Sequence, residues 1–445
     1  MLLTKKLVDQ LLQKGAEKAQ VTLVDKKEEE FSMESGDFSL LRTNFNKSLN
    51  FKMIKDNKQA TVTCNKMDEE SLNKSMTELF ELCESSPKDD SYDISDFSGE
   101  HDFAFGSKTL DRENATKYLS EFTDTVKEQF PKISIRDTGV KHVYLDVCTS
   151  TSAGLFAKEG HGYIEAFTLF TAQEGKNVTS MNFAGGQIKN MDKAFLNCFD
   201  TKIKLQDSQA LLNAENLGES FTGDVIATPG AMSFLTGFLM SNLRDGKMIS
   251  NTSYLKDKKG KKVVSDLFSM SVLSQSDELV SQEYLTRDNF LSKDYKIFEN
   301  GVLNHYLLGQ YGAKKTNLEQ TYNNGSLYKI NPGATPYKKM VESMDKGIII
   351  GYMSAGMPST KGDFSGVAKN SFYVENGKIV KPLKEVMISG NVFDMFENIT
   401  SISAETLNSG TSITPWIKFP NVSICLLYTS PSPRDQRGSR MPSSA

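Results

Sequence analysis

Apolar positions along this chain recur at two periods, and the alternation between them divides it into segments. Near the start, Leu3, Leu7, Val8, Leu11 and Leu12 fall at helical spacing, with Thr4 the expected N-cap. Residues 21–33 and 49–64 read as strands, punctuated by the turn pairs Ser35-Gly36 and Asp56-Asn57. A second amphipathic helix follows, with Leu72, Met76, Leu79, Phe80 and Cys83 on one face. Ser, Asp and Pro cluster over residues 85–99, which marks a boundary. The next helix carries Tyr118, Leu119, Phe122, Val126 and Phe130 as its stripe, and Pro131 stops it. Strand-like runs at 142–148, 163–172 and 178–183 come next, then a helix expected over 191–204. After a strand at 224–228, Pro229-Gly230 opens an apolar helix reaching Leu243, and the chain then turns β-rich. Asn300-Gly301 and Asn376-Gly377 each sit between strand-like runs, and Asn-Gly readily takes the paired positive φ values of a tight hairpin turn. The expected fold is α+β. It comprises an N-terminal α/β domain over 1–95, a middle α/β domain over 100–212, and a large β-rich C-terminal domain with antiparallel hairpins over 218–424.

Length and composition narrow the class without fixing the activity. A chain of 445 residues is long enough for two or three domains, and its 24% charged and 38% hydrophobic content is that of an ordinary globular protein. A formal charge of −4 gives no reason to expect nucleic acid or an anionic membrane as partner. No apolar run reaches the length of a membrane span. Cys64, Cys83, Cys148, Cys198 and Cys425 are odd in number, widely spaced and form no CxxC pair, which suits a reducing, cytoplasmic setting. Lysine dominates the basic residues. Before residue 425 the arginines are Arg42, Arg112, Arg136, Arg244 and Arg287, whereas Arg434, Arg437 and Arg440 crowd the final residues. The stretch 426–445, rich in Ser, Pro and Arg, is expected to be a non-native tail.

The usual catalytic patterns are missing. The sequence contains no HExxH, no GxSxG and no GxxxxGK[ST]. His101, His142, His161 and His305 are too scattered to show the short spacing of zinc ligands. The Gly362-Asp-Phe-Ser-Gly366 run lacks the lysine and following helix of a phosphate cradle, and reads as a turn between sheet strands.

Two longer stretches carry a resemblance. Gly362-Asp-Phe-Ser-Gly-Val-Ala-Lys-Asn-Ser-Phe-Tyr-Val-Glu-Asn-Gly-Lys-Ile-Val-Lys-Pro382 and Ile388-Ser-Gly-Asn-Val-Phe-Asp-Met395 look like the C-terminal signature of TldD/PmbA proteins. Lys296-Ile-Phe-Glu-Asn-Gly-Val302 and Leu327-Tyr-Lys-Ile-Asn-Pro-Gly333 match further. In that family, TldD-type chains carry His-Glu-x-x-x-His on a helix after a Pro-Gly segment, where the histidines hold zinc and the glutamate activates its water. Aligned on Pro229-Gly230, those positions fall on Gly237, Phe238 and Asn242. Glycine offers no ligand, phenylalanine accepts no proton, and one amide is a poor zinc site. A late cysteine ligand of TldD-type chains has no counterpart between Cys198 and Cys425. The chain therefore resembles the PmbA/TldE branch. The resemblance implies a non-catalytic subunit with no cofactor of its own, zinc on a TldD-type HExxxH partner, and unfolded peptide as substrate of the complex. A stand-alone peptide-binding or structural homo-oligomer is the alternative.

Overall fold

The computed structural model describes residues 3–34 and 37–427. Helices α1 (Leu3–Gln13), α2 (Glu69–Ser85), α3 (Arg112–Gln129) and α4 (Thr201–Ala210) belong to the first half. With them come strands β1 (Lys18–Glu34), β2 (Asp37–Lys55), β3 (Lys58–Cys64), β4 (Gly99–Phe105), β5 (Ile133–Thr151), β6 (Leu155–Glu174), β7 (Asn177–Val178) and β8 (Asn182–Ile188). These form one sheet in the order β3-β2-β1-β5-β6-β4, with β7 and β8 also on β6. Strand β6 is shared along its length: β4 runs parallel to residues 155–161, and β8 runs antiparallel to residues 164–170.

Segments 1–95 and 100–212 thus build one sheet with two cores, the second of which also takes Phe31 and Met33 from β1. Helices α1 and α2 press Leu7, Leu11, Met76 and Leu79 onto Val21, Leu49, Phe51 and Met53. Helix α3 presses Leu119 and Phe122 onto Val140 and Phe170 at the other end. The apolar spacing found all three helices. The details differ in three places. Thr4 lies inside α1 rather than capping it, and its buried hydroxyl accepts a 2.8 Å hydrogen bond from Ser150. Residues 49–64 are two strands, because Asp56 and Asn57 both take positive φ and reverse the chain. The helix expected at 191–204 is a short 3-10 turn at Phe195–Asn197 followed by α4. The expected turn at Ser35-Gly36 lies outside the described residues.

Strand β2 has two characters. Residues 49–55 pair with β3, while residues 37–47 are all exposed and have β1 on one side only. Phe38, Leu41 and Phe45 stand out from this stretch, Phe45 with 74% of its surface exposed. Natural sheets usually cover or charge such an edge.

The second half contributes β9 (Phe221–Ala227), α5 (Pro229–Ser241), α6 (Asp245–Ile249), β10 (Met270–Val272), β11 (Tyr295–Glu299), β12 (Val302–Leu303), α7 (Gln310–Thr316) and β13 (Tyr328–Ile330). It continues with α8 (Tyr337–Glu342), β14 (Lys346–Ala355), β15 (Asp363–Glu375), β16 (Lys378–Leu383), β17 (Val386–Asn391), α9 (Val392–Glu397), β18 (Ser401–Asn408) and β19 (Ser412–Leu426). Strands β9, β14, β15, β17 and β19 pair in succession, and β19 returns to β9, so the five close a ring. Ile348 and Ile350 of β14 enter the main core with α5, while Ile349 faces a smaller cluster under α8. Burial on both faces explains the unbroken apolar run 348–350. Both Asn-Gly hairpins form, with positive φ at Asn300, Gly301, Asn376 and Gly377. In the 362–366 run only Gly362 belongs to a turn, since β15 begins at Asp363. The expected tail, 426–445, lies outside the described residues from position 428 onward. Leu426 itself ends β19 opposite Val386.

Candidate functional site: a closed helix and an open cleft

Helix α5 follows β9 without a loop. The Thr228 hydroxyl caps it and also donates to the Gly351 carbonyl at 3.0 Å, and Pro229 supplies the first helical φ. Gly230 is required by close packing, since a Cβ there would lie 2.8 Å from the Gly351 oxygen. The three positions singled out from the sequence do not converge. Gly237 is on the solvent side, with nothing within 4 Å of where a Cβ would stand. Phe238 is 3% exposed, with its ring 5.6 Å from that of Phe393 and the Lys247 ammonium 4.1 Å from its centroid. Asn242 is fully buried at the C-cap, where its amide donates to the Phe238 carbonyl at 2.9 Å and accepts from the Tyr254 N–H at 3.3 Å.

Zinc does not fit this arrangement. One position has no side chain, one is a core ring, and the third spends both polar atoms on backbone. Cys425 sits near the end of β19, half-buried and paired with Met387 of β17. The histidines stay apart in use: Nε2 of His142 meets the Ser107 carbonyl, His161 faces Glu159, His101 meets the Ser98 carbonyl, and the His305 ring lies edge-on to Tyr295. Among the described residues, no group of three or more His, Cys, Asp or Glu side chains is arranged to hold a metal ion.

Beside α5 runs a strand edge that is free among the described residues. β14 pairs with β9 only as far as Ile350, while its other side stays on β15 to Ala355. Tyr352 is exposed on this stretch, and Met357 just beyond it.

At its C-terminal end α5 runs into a cleft of about 920 Å³ that sequence reasoning missed. One wall is Gln20, Lys52, Gln59 and Thr61 of the first sheet; the other comes from Arg244, Asp245, Arg287, Asp288 and the start of α7. The linker between α2 and β4 ties the walls together. Asp89 accepts from the Tyr311 hydroxyl at 2.8 Å and pairs with Lys315, while Asp93 bridges Lys18 and Lys314. Burial works to raise the Asp93 pKa, but the two ammoniums hold it down at about 2. Asp245 accepts from the Gly309 N–H at 3.0 Å, and Asp288 from the Gln310 N–H at 2.9 Å, so both carboxylates meet the first turn of α7. Burial nevertheless keeps Asp245 above the usual carboxylate range. The signal was available in composition. Arginine is scarce in this lysine-rich chain, and two of the five before residue 425 line this cleft.

This architecture, a helix-covered sheet joined to a closed β ring with its own helix, is that of known structures. TldE from Thermococcus kodakarensis superposes with a TM-score of 0.79 at 17% identity, covering 95% of this chain and 99% of that one. A protein described as a modulator of DNA gyrase from Bacteroides thetaiotaomicron gives 0.83 at 18%, covering 96% and 98%. At the level of sequence, residues 220–425 match the PmbA/TldA metallopeptidase C-terminal domain. The C-terminal half of the chain thus carries the PmbA/TldA metallopeptidase domain, and the fold of the whole is that of TldE. It is 29% identical over 162 residues to the metalloprotease PmbA homolog of Haemophilus influenzae, and 26% identical over 171 residues to metalloprotease PmbA of Escherichia coli. Those matches span 36% and 38% of the relatives' lengths. A zinc metalloprotease TldD homolog of Saccharolobus solfataricus matches at 25% over 194 residues.

Proposed function

We propose that this chain is a non-catalytic, PmbA/TldE-like subunit of a TldD-type zinc metallopeptidase complex. The complex would cleave unfolded peptides in the cytoplasm, and the zinc would sit on the HExxxH-bearing partner. One observation carries the reading: the helix after Pro229-Gly230 has Phe238 in its core and Asn242 committed to backbone, where the partner type needs a base and a ligand. Two free strand edges support the assembly. The β14 edge beside α5 offers an extended peptide a strand to pair with, a general mode of peptide recognition. The apolar β2 edge at 37–47 offers the partner chain a surface.

The test is co-expression with the HExxxH-bearing homologue of the same genome. The two should co-elute on size exclusion, and peptidase activity should need both chains and vanish with chelator. Chelator-insensitive peptidase activity from this chain alone would overturn the reading. Self-association without binding to the homologue would favour the stand-alone homo-oligomer.

A further inference from the structure

The cleft at the end of α5 holds a charge imbalance that a count of its charged residues hides. Its walls present three carboxylates and three cations. Asp93 is neutralised by the Lys18 and Lys314 ammoniums, while Asp245 and Asp288 each accept one backbone N–H, from Gly309 and Gln310, which leaves two carboxylates against three cations. The cations meet backbone dipoles or nothing. Lys52 donates to the backbone carbonyl of Asp93 at 2.9 Å, and Arg244 donates to the carbonyl of Gly325 at 3.3 Å. Among the described residues, neither they nor Arg287 form an ion pair, and the Arg287 guanidinium has no hydrogen-bond acceptor. A carbonyl dipole satisfies a donor without neutralising its charge. Burial disfavours the charged form of Lys52, and the Arg287 charge adds to this against Asp288 and Asp93. An arriving anion would relieve all three groups at once.

We propose that this cleft binds a peptide through a carboxylate, held by Arg287 and Arg244 with Lys52 behind them. The inference rests on the reading that the complex handles peptides, and it assigns that peptide an anionic anchor. Two features favour a peptide over a small inorganic anion. The volume, about 920 Å³, far exceeds one ion and falls within the range of sites for sizeable organic ligands. The walls also carry Gln59, Gln310, Asn323 and Asn324, whose amides offer both donors and acceptors, as a peptide backbone requires. Planar guanidinium suits a carboxylate because it can donate two parallel hydrogen bonds.

Isothermal titration of the full chain tests this with four probes: an alternating Ala/Gly pentapeptide with a free C-terminus, its C-terminal amide, the amide with one internal Glu, and inorganic phosphate. The free acid should bind about tenfold or more tightly than the plain amide, the worth of about one charge-assisted contact. Arg287→Ala should remove that preference and Arg287→Lys restore part of it, with the melting temperature unchanged because the side chain is exposed. If the internal-Glu amide matches the free acid, the anchor is a side-chain carboxylate, and the proposal stands. Equal binding of acid and amide, no binding of either, or phosphate binding as tightly as the acid would overturn it. The two readings fail separately. A chelator-sensitive complex indifferent to the carboxylate would keep the proposed function and remove this site. Carboxylate preference in a chain that never meets the homologue would do the reverse.

Discussion

Helix α5 and the cleft beyond it are made from one stretch of chain, residues 229–245, and have opposite characters. The helix turns its apolar side chains inward and leaves Gly237 bare to solvent. The cleft, beginning at Arg244, is lined by charge and amides, with three cations facing the two carboxylates that no ammonium pairs. The difference separates two things that a catalytic site combines. On the proposed reading, groups that would do chemistry are missing from the helix, while groups that would hold a ligand stand next to it. The two can vary separately, because a core phenylalanine and a surface arginine answer to different constraints.

The largest test of that contrast is Phe238→Ala. The ring is buried among α5, α9 and the Lys247 stem. Truncation removes its transfer energy and leaves a cavity, so denaturant melts should show a loss of about 3–5 kcal/mol. Association with the partner, once folded, should survive. A variant of unchanged stability that loses peptide binding would place Phe238 in a ligand site and break the contrast.

What the sequence made legible followed from period and turn chemistry. The stripe of Leu72, Met76 and Leu79 located α2, and Asn300-Gly301 located a hairpin, because each signal is local. The apolar helix α5 was equally readable, since Phe234, Leu235, Phe238 and Leu239 form one run after a proline. Residues 37–48 were not read as a strand. They are exposed on both faces, so no alternation marks them, and β1 holds them by backbone pairing alone. The joining of segments 1–95 and 100–212 into one sheet was hidden for another reason. It depends on β1 pairing with β5 more than a hundred residues later, and long-range register leaves no local trace. The cleft was hidden likewise, because its walls come from residues near 20, 52, 245, 287 and 310.

A second test sets the cleft carboxylates against one that has no partner. The Asp207 carboxylate, on α4, accepts no hydrogen bond among the described residues. Burial first, then the charge of Asp200, pushes its pKa up to about 7, with Lys204 opposing. Its influence reaches Tyr337, whose pKa burial and Asp207 raise to about 12. An acid whose folded pKa is raised holds a proton that the unfolded chain has released. Its contribution is therefore neutral below about pH 4, and stability falls as pH rises toward 7 and then levels. Asp207→Asn should match the parent at pH 4 and exceed it at pH 8, by on the order of 2 kcal/mol. A difference independent of pH would show that the carboxyl is solvated. Asp245, whose pKa burial also raises but whose carboxylate accepts the Gly309 N–H, should gain less from the same change.

The smallest effect is expected at Gly237, and it is the most direct probe of what the exposed face of α5 meets. The position is inside the helix, its φ is not positive, and a Cβ would touch nothing. Glycine there costs conformational entropy without any steric reason in the chain itself. Gly237→Ala should therefore stabilise the isolated chain by about 0.5–1 kcal/mol, the ordinary difference in helix propensity. The informative measurement pairs that melt with association to the HExxxH-bearing homologue. If the face is solvent in the complex too, both changes are small and the glycine is merely tolerated. If a partner backbone or a bound peptide packs against it, the same methyl that stabilises the chain will weaken the complex. That opposite pair of signs would mean the helix that gave up chemistry still serves as a contact surface, and the boundary between the inert helix and the binding cleft would move toward its middle.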